Sequence, residues 1–230
     1  MNNTFKRKEI KYLLTSDQRK SFEKAIIQYI QKDQYSNYTI CNIYFDTPDA
    51  RLIRRSIEKP VYKEKMRIRS YGPADDNTKV FIELKKKFQG IVYKRRIAMP
   101  MAEALAYISG KSSRSGQVEE EINYFMKMYE GICPAMYIAY DRKAYFVTED
   151  PELRITFDDN ILWRDEDVSL SSDVYGYPIL ISGQSLMEIK CAGAMPLWLV
   201  RALADNRIYE SSFSKYGVAY ERKLALKLAN

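Results

Sequence analysis

Apolar and polar residues alternate along much of this chain. In KMRIRS (65–70), Lys65, Arg67 and Arg69 take every second position, with Met66 and Ile68 between them. A period of two belongs to a β-strand, whose successive side chains point to opposite faces. Similar runs, rich in Tyr, Ile, Val and Phe, predict strands over 5–14, 38–46, 61–71, 79–87, 91–99, 135–147, 152–163 and 185–191. The runs 79–87 and 91–99 meet through Gln89-Gly90, a hairpin signal. Phe22, Ile26, Ile27 and Ile30 recur near helical spacing after Thr15 or Ser16 and predict a helix over 16–32. TPDARLIRRSIE predicts another, with Thr47 as its cap and Pro48 in its first turn. Helices over 100–109, 117–130, 195–204 and 213–229 complete the set, and loops fall at 71–78, 110–116 and 169–178, where Gly, Pro, Ser and Asp gather. Consecutive strands decorated by helices define an α+β fold on an antiparallel sheet or barrel, read as a single domain over 1–230.

The period of two also sorts the charges. Arg7, Glu9 and Lys11 share a face, as do Glu83, Lys85 and Lys87 opposite Ile82 and Leu84. Lys94 and Arg96 share another, Glu188 and Lys190 oppose Met187 and Ile189, and Arg142 and Arg154 sit in apolar runs. Any one of these is explained by a solvated sheet face. Together, with helices covering the apolar faces, they point to a sheet curled around a basic, water-filled cavity that focuses field on a chain of phosphates. Arg contributes paired donors matched to phosphate oxygens. Glu9, Glu83 and Glu188 each precede a same-face Lys by two residues. Carboxylates of that kind have little use in a nucleic-acid groove, so no nucleic-acid partner is expected; they suit a divalent ion bridging phosphates, or simple neutralisation of the neighbouring Lys.

Composition narrows the chemistry. A formal net charge of +7 favours an anionic partner. Histidine is absent, which excludes Ser-His-Asp and Cys-His catalysis and His-ligated zinc, and leaves any metal to carboxylates, as Mg²⁺ or Mn²⁺ prefers. Cys41, Cys133 and Cys191 read as small buried hydrophobes in a reducing compartment. MNNTFKRKEI holds no signal-length apolar stretch and no later run is long and apolar enough to span a membrane, so a cytoplasmic protein is expected.

The pieces RKEIKY, MRIRSYG, FIELKKKFQGIVYKRR, YDRKAYF, LRITFD, LMEIK and SFSKYG, in that order, resemble the VTC domain, the polyphosphate polymerase branch of the triphosphate tunnel metalloenzymes (the CYTH-like superfamily). The resemblance implies a tunnel of about eight antiparallel strands with helices outside. It implies an ATP-dependent enzyme that passes the γ-phosphate to a growing inorganic polyphosphate chain, with Mn²⁺ or Mg²⁺. Carried over by position, Lys11, Arg67, Arg69, Lys85, Lys94, Arg142 and Arg154 form the catalytic basic wall. Ser214 and Lys215, with Lys190 and Arg96, bind phosphate, and Glu188, with Glu9 and Glu83, holds the metal. Arg7 stands where many tunnel enzymes have a further glutamate, a change that favours polyphosphate over a two-metal hydrolase. A tripolyphosphatase or nucleoside triphosphatase of the same fold, and a non-catalytic polyphosphate- or RNA-binding module, are the alternatives. Coupling to transport would need a separate, membrane-associated partner protein.

Overall fold

A computed structural model describes residues 8–33, 37–89 and 91–229. Arg7 and Gly90, and with them the expectations for the first charged position and the hairpin tip, lie outside the described residues. The strands are β1 (Lys8–Leu14), β2 (Ile30–Lys32), β3 (Tyr38–Asp46), β4 (Tyr62–Tyr71), β5 (Lys79–Phe88), β6 (Ile91–Pro100), β7 (Cys133–Val147), β8 (Arg154–Arg164), β9 (Tyr177–Pro178) and β10 (Ser185–Cys191). The helices are α1 (Ser16–Ile26), α2 (Arg51–Ile57), α3 (Met101–Ile108), α4 (Gln117–Met128), α5 (Leu197–Asp205) and α6 (Lys215–Ala229). Their hydrogen-bonded order is β1-β10-β8-β7-β3-β4-β5-β6, with β2 on β7 and β9 on β8. This is the expected α+β class, an antiparallel sheet with helices packed on it. Among the described residues no helix is long and apolar enough to cross a membrane.

The chain groups into two compact units. The first comprises Met1–Thr39, Tyr140–Ile161 and Pro178–Ser214. Its β1, β10 and β8 align Lys11 with Glu188 and Thr156, and Glu9 with Lys190 and Arg154. On the opposite face Leu14, Ile155, Phe157, Met187 and Ile189 are buried against Phe22 and Ile26 of α1 and Leu199 and Leu203 of α5. Thr15 caps α1 in a capping box with Gln18: Gln18 N–H donates to Thr15 Oγ1 (3.2 Å), and Thr15 N–H to Gln18 Oε1 (3.1 Å). The helix is shorter than its periodicity predicts. It gives way to a 3₁₀ turn at Ile27–Tyr29 and then to β2, where Ile30 pairs with Val147 and enters the core. Pairing with β7 and burial of a β-branched side chain override local helical spacing there, and Ile27 is left exposed.

The second unit comprises Ile40–Ala139, Leu162–Tyr177 and Lys215–Asn230. One face of its β3-β4-β5-β6 sheet buries Ile43, Phe45, Met66, Ile68, Ile82 and Leu84 with Ala104 and Tyr107 of α3 and Ile122 and Phe125 of α4. α2 starts at Arg51, three residues beyond Pro48, because a turn (Ala50 N–H to Thr47 C=O, 2.8 Å) intervenes. The buried Asp46 carboxylate accepts the first-turn amides of Leu52 (2.8 Å) and Ile53 (3.0 Å), and Thr47 Oγ1 that of Arg51 (2.9 Å). A carboxylate from the preceding strand thus caps the helix where a proline was expected inside it. The 169–178 segment, expected as loop alone, ends in β9; buried Arg164 organises it by donating to the carbonyls of Asp167, Ser169, Asp173 and Tyr175. Cys41 and Cys191 are buried as expected, while Cys133, at the first position of β7, is exposed.

Candidate functional site

Each unit gathers predicted site residues on the polar face of its sheet. In the second unit the register places Asn42 and Tyr44 of β3 beside Arg69 and Arg67 of β4, Arg67 beside Glu83 of β5, and Glu83 beside Arg96 of β6. A further row joins Lys65, Lys85 and Lys94, three lysines directly opposite one another. Like charges so placed repel one another across a sheet, and Lys94 is paired with Glu83.

Glu83 is the centre of this face and is 2% exposed. Its Oε2 accepts from Arg67 Nε (2.8 Å) and Nη2 (2.7 Å) and lies 3.5 Å from Arg69 Nη2. Its Oε1 accepts from Arg96 Nε (2.7 Å) and lies 3.1 Å from Lys94 Nζ. Burial alone would raise the Glu83 pKa, but Arg67, Lys94 and Arg96 outweigh it and hold the carboxyl at about 2. Lys94, whose side chain is 44% exposed, is pushed down to about 8, since partial loss of water and repulsion by Arg67 and Arg96 exceed the attraction of Glu83. Among the described residues four cations thus converge on this one buried carboxylate, with Lys65 and Lys85 on the next row.

Aromatic groups hold these cations from behind. Arg67 Nη1 donates to the Tyr44 hydroxyl (3.0 Å), and its guanidinium lies 5.8 Å from the Tyr44 ring centroid. Tyr44 stacks on Tyr216 (4.8 Å), Lys65 Nζ lies 6.0 Å from the Tyr216 ring, and Tyr216 donates its hydroxyl to Asp46 Oδ2 (2.9 Å). Burial, reinforced by Asp46, keeps the Tyr216 phenol protonated. Arg69 Nε donates to Asn42 Oδ1 (3.3 Å). Lys215 is buried at the first position of α6, a helix end whose dipole favours anions.

The first unit carries the other cluster, in which carboxylates and cations alternate. Lys11 Nζ lies 3.6 Å from Glu188 Oε1 and 3.7 Å from Glu9 Oε1, and donates to the Phe213 carbonyl (3.0 Å). Arg142 grips Asp158 with both ends of its fork, Nε to Oδ1 at 2.6 Å and Nη2 to Oδ2 at 2.7 Å, and Nη2 reaches Glu188 Oε2 at 3.2 Å. Burial works against the Arg142 charge, yet Tyr140, Asp158 and Glu188 hold its pKa well above the ordinary guanidinium value. Glu9, Asp158 and Glu188 thus face Lys11 and Arg142. Lys190 and the exposed Arg154 sit one row further along the same face. Ser214 is half-buried at the end of this unit.

Sequence reading assigned no role to Asp158, Tyr44, Asn42 and Asp46. The signal was present: Asp158 follows Arg154 and Thr156 at the strand period, and Asn42, Tyr44 and Asp46 alternate with Ile43 and Phe45.

Among the described residues no three acidic side chains are grouped as a ready-made metal cage. Both oxygens of Glu83 are already taken by cations. Glu188 and Glu9 lie on neighbouring strands beside Lys11, 3.6 and 3.7 Å from its Nζ. Thr156, directly opposite Glu188, has a buried hydroxyl with no hydrogen-bond partner. One or two carboxylates with an uncommitted oxygen donor fit a hard cation completed by phosphate oxygens and water.

Comparison with known proteins places the chain. No curated protein matches it. A crystal structure from Bacillus halodurans, of a protein proposed to be an adenylate cyclase, is similar with a TM-score of 0.55 and 14% identity, covering 91% of this chain and 95% of that one. A second protein proposed to be an adenylate cyclase, from Vibrio parahaemolyticus, gives a TM-score of 0.48 at 14% identity over 92% of this chain and 96% of that one. A protein from Pyrococcus horikoshii gives 0.45 at 11% identity over 94% and 99%. The first of these shares the fold. A family model matches residues 6–223, nearly the whole chain, and the protein belongs to the VTC domain family.

Proposed function

We propose that this chain is a polyphosphate polymerase-like phosphotransferase, which passes the γ-phosphate of ATP to a growing chain of inorganic polyphosphate. Family membership supports a phosphate-handling enzyme. The observation that carries the reading is the Glu83 face: Arg67, Arg69, Lys94 and Arg96 share one buried carboxylate, with Lys65 and Lys85 beside them. Such a convergence of positive charge is stabilised by a polyanion.

Phosphoryl transfer asks little covalent chemistry of the protein. It needs the reacting oxygens in line and the charge on the equatorial oxygens neutralised. The attacking phosphate oxygen is already anionic at neutral pH, so the absence of histidine is no obstacle. Arg67 and Arg96 offer guanidinium donors fixed by Glu83, and Arg67 is held further by Tyr44. Lys11 and Arg142 are further phosphate contacts, each balanced by Glu188 while ligand is absent. Glu188 and Glu9 would hold a divalent ion, Mn²⁺ or Mg²⁺, which when bound would neutralise phosphate charge. Glu83 acts as the charge balancer of its face.

Purified protein given ATP and Mn²⁺ should release ADP and accumulate an anionic polymer on a gel, and chelation should stop both. Arg67→Ala should slow the reaction by roughly 10²–10³, as loss of other charge-stabilising donors does. Absence of polymer, with Arg67→Ala and Glu188→Ala binding ATP as wild type does, removes the proposal. Glu188 and Glu9 beside Lys11 favour a second reading, metal-assisted hydrolysis of tripolyphosphate or a nucleoside triphosphate. Free phosphate released without polymer would select it.

A further inference from the structure

One end of the second unit exposes apolar side chains among cations. Val61, just before β4, is 63% exposed, and Phe88, the last residue of β5, is 44% exposed. Ile57 ends α2, Val92 lies near the start of β6, and both are exposed as well. The register gathers them. Tyr62 pairs with Phe88, Phe88 with Ile91, and Lys87 with Val92. Gln89 N–H donates to the Val61 carbonyl (3.1 Å), and Lys63 Nζ to the Ser56 carbonyl beside Ile57 (3.2 Å). Single exposed apolar residues are ordinary, but a group of them among polar neighbours marks a contact surface. By the strand period Phe88 falls on the core face of Leu84, and Val92 on the polar face of Glu83. Apolar groups on both faces of a strand end suit surroundings that enclose it, as a bilayer boundary does, better than one flat protein surface.

The charges here match such a surface. Residues 51–63 carry five cations, Arg51, Arg54, Arg55, Lys59 and Lys63, against one acid, Glu58. Arg54 lies 3.7 Å from Asp49, and Lys86 lies 3.4 Å from Glu121, so part of the local charge is balanced. Arg54, Arg55 and Lys59 are exposed on and just after α2, not on the strands that carry the Glu83 face. A phosphate polymer would use these cations and leave the apolar groups in water. An apolar protein face would cover the apolar groups and strand the cations. An anionic lipid surface satisfies both, because headgroups pair with Lys and Arg while the layer beneath takes up valine, isoleucine and phenylalanine. Long basic side chains keep their charge at the headgroups as their neighbours sink past them. We propose that this end of the unit, formed by residues 54–61 with Phe88 and Val92, docks on an anionic lipid bilayer. The contact is peripheral, and it needs nothing from the Glu83 face.

The test is co-sedimentation of the purified chain with vesicles of phosphatidylcholine, either alone or with roughly one-third phosphatidylserine, at low and high salt. Wild type should partition onto the anionic vesicles roughly tenfold or more above the neutral ones, and high salt should weaken that binding. Val61→Ser with Phe88→Ser removes apolar area, and Arg55→Gln with Lys59→Gln removes two charges. Each pair should lower partitioning roughly tenfold. All four side chains are exposed, so the urea midpoint should hold and tripolyphosphate affinity should stay within about twofold of wild type. If a pair fails to fold, Val61→Ser alone carries the same test, with a loss of roughly threefold. Wild type that ignores anionic vesicles overturns the proposal. So does either variant pair binding as wild type does, since capture would then lie elsewhere or rest on charge or apolar area alone. A dimer in sedimentation equilibrium that Val61→Ser with Phe88→Ser dissociates, without vesicle binding, overturns it in favour of a second copy on this surface.

Discussion

Glu83 and Lys94 lie 3.1 Å apart, yet both pKa values are lowered, to about 2 and about 8. The glutamate sees several cations and the lysine sees those same cations, so the pair cannot be treated in isolation. Two predictions follow the signs. Glu83 titrates near 4.5 when unfolded and near 2 when folded, so its contribution to stability is fully present above pH 4.5 and is lost as pH falls from 4.5 toward 2. Glu83→Gln leaves its cations without a buried counter-charge and should cost roughly 3 kcal/mol in urea unfolding, with a flatter acid limb. Lys94 runs the other way: its charge opposes folding, so stability rises as pH passes from 8 to 10.5. The same deprotonation removes a phosphate contact, so kcat/KM for ATP should fall above pH 8, and Lys94→Arg should move that fall well to the alkaline side. Legibility at this scale was partial. The alternation marked Arg67, Arg69, Lys94 and Arg96 as neighbours on a face, whereas the convergence of all four on Glu83 depends on the register of three strands.

Elements were legible where pattern and pairing agree. β3 spans Tyr38–Asp46, the predicted range, because its alternation is strong and both of its faces are committed, Ile43 and Phe45 to the core and Asn42 and Tyr44 to the polar side. Local capping chemistry was legible too, in Thr15 and its capping box. Thr15→Ala should cost about 1 kcal/mol and lower the melting temperature by roughly 2–4 °C, measurable by thermal unfolding. The second half of the predicted 16–32 helix fails because Ile30 finds a partner in Val147, far away in sequence. α2 starts late because Asp46 reaches its first amides from the end of β3. Neither event is visible in a local window.

For the molecule as a whole, a net charge of +7 together with the Glu83 face predicts long-range attraction of polyphosphate. Its association rate constant should fall roughly tenfold between low salt and about 0.5 M salt, read by stopped-flow mixing. A rate insensitive to salt would show that the exposed charges play no part in capture. The amino-acid sequence by itself determined the α+β class, the antiparallel strands, the charged face shared by Lys65, Arg67 and Arg69 and the exclusion of histidine chemistry, because alternation and composition are local properties of the chain. Tertiary structure alone decided which charges meet. It set Arg67, Arg69, Lys94 and Arg96 around Glu83 in one unit and Lys11 and Arg142 against Glu188 in the other, and it paired Thr156 with Glu188. The physical reason is that strand register is fixed by burial of the opposite face, and a slip of one residue would turn every one of these side chains into the core.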